Sequence, residues 1–356
     1  MLSFCRRCGT KLDDFARFCQ KCGTPVVTFA PVEPAKPDRP LKKEPLVIAA
    51  MLLIAILVAA VIVSAIIFAP FSPLSFSQTN QDTHSGINTL NLNFQANTAQ
   101  VKIVTQNINN QNILINTSAD GFRSIFGATK PIEVTFTNQT AGNALTINLK
   151  VIEGNEFPTT GTLHVTCTIY VNPALKLNIN VTTQAGSISL ISEKSATFES
   201  LNLHANTGEV EANLQNVTIA GDVSLITKAG TVNFGVRQAT LQGNQTVTLH
   251  SNAGSVGMDI VQAKTLQGNL NVNAITELGS VNVALQIEGD NGAKIISQTN
   301  LGNIHLDVQN FSGNQSSIQS DNYPAGSSIE VNSRTNLGSI NINAVYQSSN
   351  GSIVRN

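Results

Sequence analysis

Four cysteines stand in two short units near the start of the chain, Cys5-Arg6-Arg7-Cys8-Gly9 and Cys19-Gln20-Lys21-Cys22-Gly23, with ten residues between Cys8 and Cys19. In a CxxC turn the two thiolates converge on one side, and the following glycine permits the tight backbone reversal that aims them. Two such units complete a tetrahedral shell of four sulfurs, Cys5, Cys8, Cys19 and Cys22, with no open position. That is the donor set of a structural Zn²⁺. A pair of redox CxxC motifs is disfavoured, because no βαβ pattern surrounds either unit. Phe4, Leu12, Phe15 and Phe18 are too few to fold so short a segment alone, so the metal is expected to serve as its core. The Lys and Arg residues of this segment are scattered as on a solvated face, and nucleic acid is not an expected partner.

Elsewhere the side chains offer little chemistry. A β-helical polysaccharide-active enzyme needs carboxylates clustered with Arg or Lys on successive coils, whereas the acids after residue 70 are dispersed. Only Glu209/Glu211 and Glu288/Asp290 share a strand face at i, i+2, a pattern that usually marks a solvated face. His204 and His250 hold the same place in two repeats, but Ile226 takes it in the repeat between them, and no metal is expected there. The calcium-binding GGxGxD nonapeptide is absent. Cys167 stands alone in a Thr/Val/Ile-rich run, so this region has no internal disulfide and must be held by packing. Eight N-x-S/T sequons (Asn116, Asn138, Asn180, Asn216, Asn244, Asn310, Asn314 and Asn350) are about what this Asn- and Ser-rich composition yields by chance. The chain is therefore expected not to be an enzyme.

The elements that carry these groups are separated by composition. The chain has 356 residues and a formal net charge of −1. Residues 1–45 hold nine Lys/Arg against five Asp/Glu, and the remainder holds 12 against 17. Residues 46–68 form a run of 23 without a charge, interrupted by one polar residue, Ser64. As a helix this run reaches about 34 Å, enough for a hydrocarbon core of about 30 Å. A single transmembrane helix over 46–69 is the expectation. A cleaved signal peptide is disfavoured by the length of the run and by the 45 residues before it. Lys36, Arg39, Lys42 and Lys43 precede the span and the first base after it is Lys102, so the N-terminus is expected in the cytoplasm and the rest outside. Between ribbon and span, prolines spaced along 28–45 imply an extended cytoplasmic linker. Residues 70–85 are read as a second linker.

Beyond it the sequence repeats. Gly186, Gly208, Gly230, Gly254, Gly279, Gly302 and Gly338 align at intervals of 22, 22, 24, 25, 23 and 36 residues. Two positions after each stands Ile or Val, an apolar residue follows at four, and Ile, Leu or Val stands seven before. Three before, Thr or Ser recurs except at Ala205. Apolar residues at alternating offsets on both sides of a glycine describe two short strands joined by a turn. Units of this size cannot bury an apolar face alone and must stack. The predicted fold is mainly β, a repetitive β-solenoid or β-roll over 178–345, with a large antiparallel sandwich as the alternative. Residues 86–177 are read as an irregular cap containing one degenerate unit around Ala99, about 310–324 as an inserted loop, and 346–356 as a tail.

Two resemblances add to this reading. Phe4-Cys5 and Phe18-Cys19 complete an FCxxCG…FCxxCG pattern, and residues 1–27 resemble the short zinc-ribbon heads of prokaryotic membrane proteins. The stretch from Asn172-Pro173-Ala174-Leu175 to Val181-Thr182-Thr183-Gln184-Ala185-Gly186-Ser187-Ile188 is similar to an adhesin-type family of prokaryotic β-repeat domains. That resemblance spans roughly 86–345. It implies repetitive β-structure, cell-envelope association and a role in adhesion or envelope-stress signalling, and it carries over no catalytic or ligand residue. The expected function is a non-enzymatic, membrane-anchored surface protein that binds an extracellular protein or glycan. The alternative is an envelope sensor whose ribbon engages a cytoplasmic protein partner.

Overall fold

The computed structural model describes residues 3–13, 16–25, 45–67, 71–124, 132–153 and 163–348. They fall into two units, Met1–Phe68 and Ala69–Asn356. The Pro-rich linker expected over 28–45 lies outside the described residues, except for Pro45.

In the first unit, Ser3–Phe4 and Lys11–Leu12 pair antiparallel as a two-stranded ribbon. Helix α1 covers Pro45–Ile67. Proline suits the first helical turn, where its missing N–H has no partner to lose. The described side chains of α1 are those of 49–64, apolar and exposed on every side except for half-buried Ser64. Its one polar group, the Ser64 hydroxyl, donates to the Val61 carbonyl at 3.0 Å. This 16-residue stretch is short of a bilayer crossing, and among the described residues no helix is long and apolar enough to span a membrane. The single transmembrane helix expected over 46–69 is therefore not borne out among the described residues, although the backbone of that stretch is helical over Pro45–Ile67.

The second unit is built from strands that alternate between two sheets, one of 14 strands (sheet I) and one of 11 (sheet II). Each repeat contributes a strand to sheet I, turns at its glycine, and contributes the next strand to sheet II. Successive repeats pair in parallel with the aligned residues in register: Ile179, Leu201, Val223, Val247 and Val272 in sheet I, and Ile188, Val210, Val232, Val256 and Val281 in sheet II. Parallel pairing of this kind is the opposite of what an antiparallel sandwich requires. The apolar positions of both sheets point inward into one continuous core. A third short ladder, Thr218–Ile219 beside Thr240–Leu241, places Phe198, Ile219 and Leu241 in the same core.

The order of repeats in space departs from the order in sequence at both ends. The unit expected around Ala99 is present: the strands Thr89–Thr98 and Gln100–Thr105 form a repeat with Ala99 in the glycine position. The strands Ala144–Glu153 and Leu163–Val171 then add outside it, and the chain returns past it to start the repeat at Lys176. At the other end the repeat of Gly338 sits between those of Gly279 and Gly302. The 36-residue interval is therefore not an insertion between stacked neighbours. The region read as a loop over 310–324 forms a hairpin, Phe311–Asn314 with Ser317–Ser320, that extends sheet I antiparallel.

The second linker is also corrected. Phe71–Asp82 is a 12-residue strand paired antiparallel with Ile113–Ser124 at the edge of sheet II. Ser75, Ser77, Thr79 and Gln81 face water as an edge strand allows, while Asp82 at its end is buried, and Pro73 is tolerated because an edge leaves N–H groups unpaired. The tail read over 346–356 begins inside the strand Ile340–Gln347, and 349–356 lie outside the described residues.

Candidate metal centre and outer groove

The two cysteine units fold alike. In each, the glycine takes a left-handed conformation, φ 70° at both Gly9 and Gly23. The Gly9 N–H donates to the Cys5 carbonyl and the Gly23 N–H to the Cys19 carbonyl, both at 2.8 Å. The Cys5 and Cys19 N–H groups donate to the carbonyls of Thr10 and Thr24. These turns bring the ligand atoms of Cys5, Cys8, Cys19 and Cys22 within 4.8 Å of one another. Cys5 Sγ lies 3.6 Å from Cys22 Sγ, and Cys8 Sγ lies 3.5 Å from Cys19 Sγ. A tetrahedron with Zn–S bonds of about 2.3 Å has edges of about 3.8 Å, so the cluster has the size of a Zn²⁺ shell.

Its electrostatics call for a cation. The hydroxyl and backbone N–H of Thr10 hold the Cys8 thiol down to about 6. At Cys19 the Lys21 backbone N–H favours the thiolate, but burial and the neighbouring thiols prevail and push it up to about 11. Four sulfurs this close cannot all be thiolates without a positive charge among them, and a divalent metal supplies it.

The sequence reading missed Thr10 and Thr24. Their hydroxyls stand 3.3 Å from Cys8 Sγ and 3.2 Å from Cys22 Sγ, one behind each outer sulfur. The signal was present as a repeated CxxCGT. Leu12 is buried in the small core with Cys5 and Cys19, whereas Phe4 and Phe18 are 58% and 61% exposed and not core residues. Phe15 lies outside the described residues. Beside Phe18 is a cleft of about 340 Å³, bordered by Leu12, Lys11 and Lys21.

In the second unit the dispersed groups stay dispersed. His204 and His250 flank Ile226 on adjacent strands, two strand spacings apart. Burial, then the charge of Lys228, lowers the His204 pKa, while the His250 ring is 2.9 Å from the Asn252 side-chain oxygen. Glu209 accepts from Asn233, and Glu211 accepts from Asn213 and Ser189. Cys167 replaces an aliphatic in the core ladder beside Val101, and burial pushes its thiol up to about 11.

A groove of about 450 Å³ lies on the outer face of sheet II. Its floor is low because Gly235, Gly257 and Ala284 carry little or no side chain on that face. Its walls are amides, chiefly Asn213, Asn233, Asn282, Asn341 and Asn343, with Asp259, His305 and Asp307. Asn341 donates to Asn282 at 2.9 Å, and Asp259 pairs with Arg237 at 3.0 Å. Asn213 and Asn233 each give one N–H to Glu211 and Glu209, which leaves Asn343 and the unused oxygens and N–H groups of the others to hydrogen-bond a neutral polar chain laid across the strands.

Residues 4–26 match the zinc-ribbon domain family model. No curated protein matches the chain. Among solved structures, a candidate cell adhesion protein from Clostridium sporogenes is 15% identical with a TM-score of 0.31, covering 78% of this chain and 100% of its own. A candidate adhesin from Bacteroides fragilis is 14% identical with a TM-score of 0.28, covering 76% and 97%. One from Parabacteroides distasonis is 10% identical with a TM-score of 0.22, covering 79% and 98%. Likenesses this remote establish neither the fold nor the function of this chain.

Proposed function

We propose that this chain is a membrane-anchored, non-enzymatic interaction protein of the cell surface. In this reading α1 crosses the bilayer once, the zinc ribbon is cytoplasmic, and the β-domain is an exported β-solenoid that binds an extracellular protein or glycan. The observation that carries it is the outer face of sheet II, where in-register strands hold an amide-walled groove open over glycine and alanine. Amides recognise hydroxyls and peptide groups without charge, and a groove crossing several strands suits a polymer more than a small metabolite. The anchor is supported by the 23-residue length of α1, the apolar side chains exposed all round at 49–64 and the basic residues before it in the sequence. The absence of an assigned reaction rests on the acids near the groove. Glu209 and Glu211 beside the groove are engaged by neighbouring side chains and Asp259 in its wall by Arg237, which leaves Asp307 as a lone carboxylate there and not one of a clustered acid pair.

Filling the groove tests the reading. At Gly257 an added Cβ meets only the Asn233 side-chain oxygen, which can move. The full-length Gly257→Arg variant should melt like the parent and lose at least about tenfold in binding to intact cells or purified envelope polysaccharide, a loss of about 1.4 kcal/mol. Undiminished binding would remove the groove from the account, and turnover of the polysaccharide would replace it with an enzyme.

A second reading is supported by the ribbon. Its exposed Phe4 and Phe18 and the adjoining cleft would suit a cytoplasmic protein partner, and the β-domain would then report an envelope condition across the membrane. Capture of a specific cytoplasmic partner that is lost in a Phe4→Ser/Phe18→Ser variant would favour it.

A further inference from the structure

The three repeats at the far end of the stack differ from the others at the residue just before the aligned glycine. There Leu278, Leu337 and Leu301 lie in register on neighbouring strands and are 51%, 46% and 67% exposed. In the four preceding repeats the same place holds Ala185, Thr207, Ala229 and Ala253. With strands about 4.8 Å apart, the leucines make a strip about 10 Å long on one turn edge. Sequence order conceals it, because the repeat of Leu337 is threaded between the other two. Single exposed aliphatics are ordinary on a protein surface, but here three of the five large hydrophobics exposed among the described residues of this unit are gathered in register.

We propose that this strip is a self-association surface on which a second copy of the chain docks about a two-fold axis beside Leu337. The strip is its own complement in that arrangement. Leu337 meets the partner's Leu337, and Leu278 meets the partner's Leu301. The residues beside the leucines are Glu277, Asn336 and Asn300, and the last two are hydrogen-bonded to each other at 3.2 Å. The two-fold axis sets Glu277 against the partner's Asn300. A side-by-side arrangement without reversal would press two Glu277 carboxylates together, which like-charge repulsion opposes. No Lys or Arg adjoins a leucine in the chain, so the strip lacks the cations that an anionic lipid surface would require.

Three leucines cover much less than the roughly 800 Å² per partner of a stable interface, so the contact is weak in dilute solution. It becomes populated where chains are concentrated, because tethering raises the effective concentration. The strip lies at the end of the stack opposite the strand Phe71–Asp82, which is the end nearest α1 along the chain.

Cysteine cross-linking of the full-length, zinc-loaded chain reconstituted at high density tests this arrangement, with the parent protein as baseline for its native cysteines. Leu337→Cys should form disulfide dimers at least about fivefold more than Thr207→Cys, which occupies the same turn edge outside the strip. Leu278→Cys alone should stay near the control, and mixing it with Leu301→Cys should restore cross-linking. Dimers from Leu337→Cys no more abundant than from Thr207→Cys would overturn the proposal. So would self-linking of Leu278→Cys as ready as that of Leu337→Cys. The substituted side chains are exposed, and an unchanged melting curve for each variant separates lost contact from lost fold.

Discussion

At the residue scale, the zinc ribbon depends on groups behind its sulfurs. The Thr10 and Thr24 hydroxyls can donate to the thiolates of Cys8 and Cys22 and steady their charge, as outer-shell partners do. Replacing both with valine should leave one bound zinc per chain and weaken it by roughly 10–100-fold in competition with a chromophoric chelator. Unchanged affinity would mean the hydroxyls only fill space. In the β-domain the aligned glycines obey a harder constraint. Gly254 has φ 143°, and a Cβ added to it would lie 1.9 Å from the Gly230 carbonyl oxygen. Gly254→Ala should therefore cost more than about 3 kcal/mol, combining backbone strain with a clash against main chain that cannot move aside. Gly257→Ala meets only a side-chain oxygen and should cost under about 1 kcal/mol. Thermal melting of the two variants makes the comparison, and equal losses would contradict the glycine ladder.

At the element scale, the Thr or Ser that recurs three positions before the aligned glycines has a structural role in five of the seven repeats. Thr227, Ser251, Thr276, Thr335 and Thr299 each donate a hydroxyl to the glycine carbonyl of the adjacent repeat, at 2.7–3.0 Å. The column was visible in the sequence, as were the apolar ladders, because stacked repeats place the same demand on the same offset. The order of the end repeats was hidden for the same reason. A unit reads alike wherever it docks, and a 36-residue interval fits an inserted loop as well as a returning chain. Phe71–Asp82 was missed because an edge strand tolerates the polar residues that mark a linker. Its last residue anchors a polar clasp: Asp82 accepts from Asn112 at 2.8 Å, from the His84 N–H at 3.1 Å and from Asn138 at 3.1 Å, and its other contact is the His84 ring at 2.5 Å. Burial opposes its charge, but these donors prevail and hold the carboxyl below its usual range. A depressed folded pKa gives stability that is complete above the unfolded value of about 3.9 and lost as pH falls through the folded value. Asp82→Asn should lower the melting temperature at neutral pH and flatten its decline below pH of about 4. An undiminished decline would assign the acid sensitivity elsewhere.

At the scale of the whole molecule, the two units make different demands on their surroundings. The described part of α1 exposes apolar side chains all round, and its serine hydroxyl is satisfied within the helix. The β-domain surrounds a continuous apolar core with polar outer faces and suits water. The ribbon is set by its metal ligands, and its four cysteines were legible from spacing because tetrahedral coordination leaves so little freedom. The groove itself was not legible, since outward asparagines read as ordinary solvated strand positions until the register aligns them. The central claim is that α1 separates a cytoplasmic ribbon from an exported β-domain. Protease added to intact cells expressing the full-length chain, followed by detection of tags at both ends, tests it most directly. The account predicts that the C-terminal tag and β-domain are digested while the N-terminal tag survives on a fragment that includes α1. Loss of the N-terminal tag with an intact β-domain, or protection of both until the cells are lysed, would contradict it.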